Sequence, residues 1–179
     1  MERTSKNQIE IGRTSDIDEL ERLYDTLIDY LTQTINYPGW LKGVYPVRQT
    51  AEEGIAQGRL FVLRKKGVIA GSIVLNHRPE KAYHQAKWSV DAEINEALIV
   101  HTLVVHPQFM KQGIARSLLE FAKEFAHSLP VKAIRLDVSI HNTPAIALYE
   151  QLGFRYIETV DLGLPYAHLK WFRLYEFVL

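Results

Sequence analysis

Apolar positions recur along this chain at two periods, and the alternation between them predicts the order βααβββαβαββ. Ile9 and Ile11 alternate with polar neighbours, which predicts a short first strand. Ile17, Leu20, Leu23, Tyr24, Leu27, Ile28 and Leu31 then recur at helical spacing, so an amphipathic helix runs to about Thr34, with Thr14-Ser15-Asp16 as its N-cap. Thr50 and Glu53 have the spacing of a capping box and open a second helix that ends near Gly58. Leu60 to Arg64 and Val68 to Leu75 are strands joined by a Lys65-Lys66-Gly67 hairpin turn. His77 to Glu96 is polar and too long for a bare connection, so it holds partial helix and covers part of the fold.

The run from Ala97 to Val105 is the most apolar strand and reads as central. Ile114, Leu118, Phe121, Phe125 and Leu129 mark one face of a long helix closed by Pro130. From Lys132 to Ile140 the alternation puts Ile134, Leu136 and Val138 on one side and Arg135, Asp137 and Ser139 on the other. Asn142-Thr143-Pro144 starts a helix, Asn capping and Pro in the first turn, and Gly153 ends it. Two last strands lie near Phe154 to Val160 and Leu169 to Phe177. The pattern predicts an α/β fold: a single mixed, twisted sheet of six to seven strands with helices on both faces.

Composition narrows the chemistry. In 179 residues, 21 basic side chains balance 21 acidic ones, against nucleic acid or an anionic membrane as partner. Zero Cys excludes a disulfide framework, a thiolate zinc site and a cysteine nucleophile. Scattered His without HExxH argues against a metal centre. There is no apolar leader and no uninterrupted apolar run of membrane-spanning length, so a single cytoplasmic domain over 1–179 is expected.

The most informative segment runs from Leu103 to Arg116. A buried strand passes through a short turn into a helix whose first turn holds Gly113 and Ala115, small residues that let a ligand approach unpaired amides. Lys111 and Arg116 lie at the positive end of that helix with no acidic residue before Glu120, an arrangement a bound polyphosphate stabilises. No Gly-x-Gly-x-x-Gly or Gly-Lys-Ser/Thr loop is present, which disfavours dinucleotides and ATP.

Here the chain resembles the GNAT superfamily of acyl-CoA-dependent N-acyltransferases. Met110-Lys-Gln-Gly113-Ile-Ala115 after Val105-His106-Pro107 is similar to that family's Arg/Gln-x-x-Gly-x-Gly/Ala signature, with Met110 in place of Arg or Gln and Lys111 where Gly is common. A second signature, about thirty residues on, runs from Leu136 through Asn142, Ala145 and Tyr149 to Gly153-Phe154. The resemblance implies that Leu103, Val104 and Val105 offer backbone hydrogen bonds to a pantetheine arm. Met110, Lys111, Gln112, Gly113, Ile114, Ala115 and Arg116 would hold its diphosphate, and Asn142 and Ala145 would contact the other end of the arm.

Transfer from acetyl-CoA to an amine requires that an ammonium near pKa ~10 lose a proton, and that a departing thiolate near pKa ~8.5 receive a proton or a hydrogen bond. Tyr149 matches the family's donor to the thiolate; its structural alternative is a core tyrosine. Asp137 and His101 are the candidate bases. Asp137 stands where some N-terminal acetyltransferases of the family carry a Glu or His base, and histidine's ordinary range suits a base at neutral pH. Their bland alternatives are an Asp137–Arg135 pair and a hydrogen-bonded core histidine.

Trp40, Tyr45 and Tyr83 fall in segments that cap the substrate side in the resembled family. Trp40 and Tyr45, flanked by Gly and Pro, are candidates for a substrate wall, while Trp88 and Trp171 read as cover over the core. The Trp40 loop carries Lys42 and Arg48 and no carboxylate, which does not invite a polycation. The implied activity is acetylation of a small amine, an amino acid or a peptide N-terminus. A non-catalytic acyl-CoA sensor is the alternative. An apolar edge at Trp171 to Val178 would suit a homodimer.

Overall fold

The computed structural model describes residues 8–179. Seven strands, β1 (Ile9–Ile11), β2 (Leu60–Lys65), β3 (Val68–Asn76), β4 (Ala97–Val105), β5 (Ala133–Ser139), β6 (Arg155–Asp161) and β7 (Trp171–Val178), form one mixed sheet ordered β1-β2-β3-β4-β5-β7-β6. The helices are α1 (Ile17–Gln33), α2 (Arg48–Ala56), α3 (Ile114–His127) and α4 (Thr143–Gln151), so the predicted element order holds. β4 and β5 run parallel, and β7 pairs antiparallel with both β5 and β6. β7 is therefore an interior strand, not the edge expected from its apolar run. Phe172, Leu174, Tyr175 and Glu176 are buried, while Trp171 and Val178 at its ends are exposed. The polar stretch after β3 contains two short 3₁₀ turns, Lys81–Gln85 and Ile94–Glu96.

The chain divides into two compact units. The first comprises the chain up to Thr34, Trp40–Val74 and Thr102–Phe121. Leu20, Leu23, Tyr24 and Leu27 of α1 are buried with Leu60, Val62, Ile69 and Val104. Full burial is worth about 1.5–3 kcal/mol per large apolar side chain, so packing rather than propensity holds α1. Phe61, one residue out of phase with Leu60 and Val62, meets Phe121 of α3 at 4.9 Å, so this unit carries helices on both faces of its strands. The hairpin turns through Lys66 and Gly67, both left-handed.

Two helix starts differ from the sequence reading. Asp16 lies in a 3₁₀ turn and makes no side-chain cap; its carboxylate accepts from the Arg13 N–H at 2.9 Å and pairs with Arg64 at 2.5 Å. α2 begins at Arg48, before the expected capping box, because Thr50 Oγ1 reaches back to accept from the Val47 N–H.

The second unit comprises Ile35–Gly39, Leu75–His101 and Ala122–Leu179. Phe172 and Leu174 of β7 are buried with Tyr83, Ala97, Ile99, Leu162 and Leu169. Tyr175 turns to the other face, where its hydroxyl donates to Glu150 of α4 at 2.7 Å. Both faces of β5 are covered, so the Arg135 side is not the polar surface its alternation implied. Arg135 and Ser139 are buried, and Arg135 pairs with buried Glu176 at 3.1 Å. α4 starts where predicted, but Asn142 contributes its carbonyl to Ile146 rather than a side-chain cap. At its C-terminus the Gly153 and Phe154 amides donate to Glu150 and Tyr149 carbonyls.

Candidate active site

The turn that opens α3 belongs to the first unit. Met110 donates its amide to the Pro107 carbonyl at 3.3 Å and packs its side chain against the α1 core, so its amide is engaged inside the turn. Lys111 (φ 59°) and Gly113 (φ 78°) are left-handed, and the first α-helical hydrogen bond runs from the Ser117 amide to the Gly113 carbonyl at 2.9 Å. The amides of Ile114 and Ala115 precede that bond, where a helix has no carbonyl of its own to offer. No acidic residue occupies the first turn. Left-handed residues ahead of a helix turn successive backbone amides toward one side. Gln112 is exposed, with its amide engaged locally: Lys65 donates to its Oε1 at 2.6 Å, and its Nε2 donates to the Gln108 carbonyl at 3.2 Å. Ile114 is buried, whereas Lys111, Gly113 and Arg116 are exposed.

Upstream, β4 contains a feature that its sequence conceals. Thr102 has φ 46°, a left-handed conformation in a β-branched residue that costs about 1–3 kcal/mol. Its hydroxyl is hydrogen-bonded to the Tyr45 hydroxyl. Val104 is buried in the α1 core, while Leu103 and Val105 are half-buried. Trp40 meets Tyr45 edge to face at 5.8 Å and packs on the same core, so the two expected wall residues stand together beside Thr102. The cations of this loop are matched by carboxylates from elsewhere, which corrects the reading of an uncompensated basic loop. Lys42 pairs with Asp29, and Arg48 pairs with Asp18, Glu21 and Glu52.

The titratable cluster belongs to the second unit. The Tyr83 hydroxyl donates to Asp137 Oδ2 at 2.7 Å. Asp137 therefore has Tyr83 as its partner, and Arg135 has Glu176; the Asp137–Arg135 pair anticipated from the strand does not form. Asp137 keeps some accessible surface, yet protein surrounds its carboxyl closely enough for desolvation to push its pKa up. The Tyr83 hydrogen bond and the His101 charge oppose that rise, and Glu80 adds to it. His101 is half-buried rather than a core histidine, and its Nε2 lies 3.0 Å from the Arg78 carbonyl. A carbonyl only accepts, so Nε2 is the donor in this hydrogen bond.

Tyr149 is buried on α4, with ring centroids 5.9 Å from Phe154 and 6.3 Å from Tyr175. Burial first, and the Asp137 charge second, push its phenol pKa up. Asn142 and Ala145, two turns and one turn before Tyr149 respectively, are half-buried. Trp88 does cover the core: its Nε1 donates to the Tyr83 carbonyl at 2.9 Å and Arg135 stacks on its ring. Trp171 does not, being 47% exposed. Tyr83, His84, Trp88, Ile99 and Arg135 line a cleft of about 650 Å³ on this unit.

Residues 20–154 match the family model for the acetyltransferase (GNAT) family. The chain belongs to that family. Among curated proteins, this GNAT chain is 38% identical over 86 residues to the UPF0157 protein YqkA of Bacillus subtilis (strain 168), a match covering 46% of the chain and 24% of YqkA. The GNAT chain thus spans about a quarter of the length of that relative. The N-alpha-acetyltransferase of Saccharolobus solfataricus is 29% identical over 150 residues, 83% of this chain and 80% of that protein. Among solved structures, yncA of Salmonella typhimurium with its cofactor acetyl-CoA superposes with a TM-score of 0.69 at 17% identity, over 98% of this chain and 95% of that one. That likeness concerns the fold. The left-handed Thr102 and the Tyr83 partner of Asp137 have no local signal in the sequence, so neither was expected from it.

Proposed function

We propose that this GNAT protein transfers the acetyl group of acetyl-CoA to a primary amine of a small molecule, an amino acid or a peptide N-terminus, by direct attack within a ternary complex. The observation that carries the reading is the Asp137 carboxyl, raised in pKa by burial and set on one unit with His101 and the buried Tyr149 phenol. A protein that only sensed acyl-CoA would need the α3 turn but no such acid–base groups. The N-alpha-acetyltransferase named among its relatives supports an amine acceptor.

Acetyl-CoA supplies an activated thioester acyl group. Lys111 and Arg116, with the amides of Ile114 and Ala115, hold the diphosphate. Leu103, Val104 and Val105 present backbone groups to the arm, and Asn142 and Ala145 meet its other end. Trp40 and Tyr45 form a wall for the acceptor. Asp137 takes a proton from the amine, directly or through water, with His101 as the neighbouring acceptor. As the C–N bond forms and the C–S bond breaks, negative charge on the carbonyl oxygen meets strand amides near Val105. Tyr149 donates a hydrogen bond to the leaving sulfur. Full proton transfer from an ordinary phenol to that thiolate is already uphill by about 2 kcal/mol, and burial makes it steeper.

An acceptor screen that follows CoA release tests the proposal, with Tyr149→Phe as control. Thiol release should rise on adding amines, and Tyr149→Phe should lower kcat about a hundredfold while leaving acetyl-CoA affinity unchanged. Tight acetyl-CoA binding with no release across the whole screen would instead favour the sensor.

A further inference from the structure

The stretch between β3 and β4 is polar in sequence, yet one of its side chains lies 3% exposed in the core. Tyr83 is carried on the short 3₁₀ turn Lys81–Gln85, and its ring lies 5.2 Å from that of Trp88. The segment is pinned at successive points. Trp88 Nε1 donates to the Tyr83 carbonyl, the Ser89 amide donates to Glu176 Oε2 at 3.0 Å, and Arg135 donates to the Val90 carbonyl at 2.7 Å. A hydroxyl delivered by so constrained a segment has a fixed position, and this one is aimed at a single atom, Asp137 Oδ2.

We propose that Tyr83 is a positioning residue for acyl transfer: its O–H holds the ionised Asp137 by Oδ2 and presents Oδ1 to the proton of the acceptor amine. The proposal rests on the reading of Asp137 as the base. A carboxylate has lone pairs for both bonds, so the Tyr83 contact leaves Oδ1 able to accept; it lowers the basicity of Asp137 and removes its rotation. Four titratable groups bear on the arrangement. Tyr83 and Glu80 come from the same loop, His101 from β4 and Tyr149 from α4. Burial and the Asp137 charge hold the Tyr83 phenol far above neutral pH, so it remains a donor wherever the enzyme works. During the reaction the amine proton passes to Asp137 Oδ1 as the C–N bond forms, and the C–S electron pair leaves with sulfur. Tyr83 keeps its proton throughout.

The experiment is a pH profile of kcat/KM for the full chain, Tyr83→Phe and Asp137→Asn. Losing the donor destabilises the carboxylate against the acid, so the acid limb of Tyr83→Phe should move up by about one to two pH units. Activity should recover at high pH and KM for acetyl-CoA should stay put. Loss of ring packing alone would lower activity at every pH without moving the limb. Should the Phe variant misfold, 3-fluorotyrosine placed at position 83 keeps the packing and donates more strongly, moving the limb the other way. A limb that stays fixed in both variants while Asp137→Asn abolishes it overturns the role of Tyr83 and leaves the base in place. A limb that survives Asp137→Asn overturns both.

Discussion

A β-carbon on Gly71 would stand 2.8 Å from the Val104 carbonyl oxygen and 2.8 Å from Ile114 Cγ2. Neither neighbour is the free end of a flexible chain: one is strand backbone, the other a buried anchor at the start of α3. This contact sets how close the helix that opens with the diphosphate turn can lie to β3 and β4. Gly71→Ala should therefore cost about 1–3 kcal/mol and weaken acetyl-CoA binding together. Thermal melts and calorimetry check it, and a variant that melts and binds like the parent shows that the close approach is unimportant.

Lys111 combines a left-handed backbone with a cation at the mouth of the turn. Gly relieves the backbone and Asn tolerates it, while both delete the charge. Lys111→Gly should be neutral to stabilising by up to about 1 kcal/mol. Both variants should bind acetyl-CoA several-fold more weakly at low salt, with the gap closing as ionic strength rises. Equal affinity at low salt would remove Lys111 from the binding turn.

Asp137 should trade stability for activity. Its pKa is raised in the fold, chiefly by desolvation, so the stability it lends is complete below the ordinary carboxylate range and is lost as pH rises through the raised value. Above the raised value the folded chain carries a buried charge that the unfolded chain solvates. Asp137→Asn, which still accepts from Tyr83, should melt higher than the parent at pH 8, lose that advantage toward pH 4, and transfer acetyl groups far more slowly. A lower melting point at pH 8 would show that the carboxylate is stabilised in place.

Arg135 and Glu176 form a buried pair whose side chains are 8% and 1% exposed. Removing one partner leaves the other charge buried, so Arg135→Met should destabilise by about 3–5 kcal/mol. Arg135→Met combined with Glu176→Leu should recover much of that loss. Because Arg135 and Glu176 also hold Val90 and Ser89, the double variant should still exchange the amides of the Tyr83 segment faster in hydrogen exchange. Slow exchange there would mean that Trp88 packing suffices.

Much of this molecule was legible in one dimension because its signals are local. Amphipathic spacing placed α1 and α3, Pro144 and Gly153 bounded α4, and the small residues after Pro107 marked the turn that opens α3. Capping was less legible. Asp16 and Asn142 occupy the right positions, but Arg64 captures one side chain and the other is not used as a cap.

By itself the chain's order of residues determined the elements, their sequence and the place of the turn before α3, since each depends on neighbours within a few positions. Only the tertiary structure decided that β7 lies inside the sheet, that Thr102 is left-handed in an otherwise regular strand, and that Tyr83 rather than Arg135 answers Asp137. Those outcomes turn on partners tens of residues away, and the free energy that selects them comes from burial, which no local pattern contains.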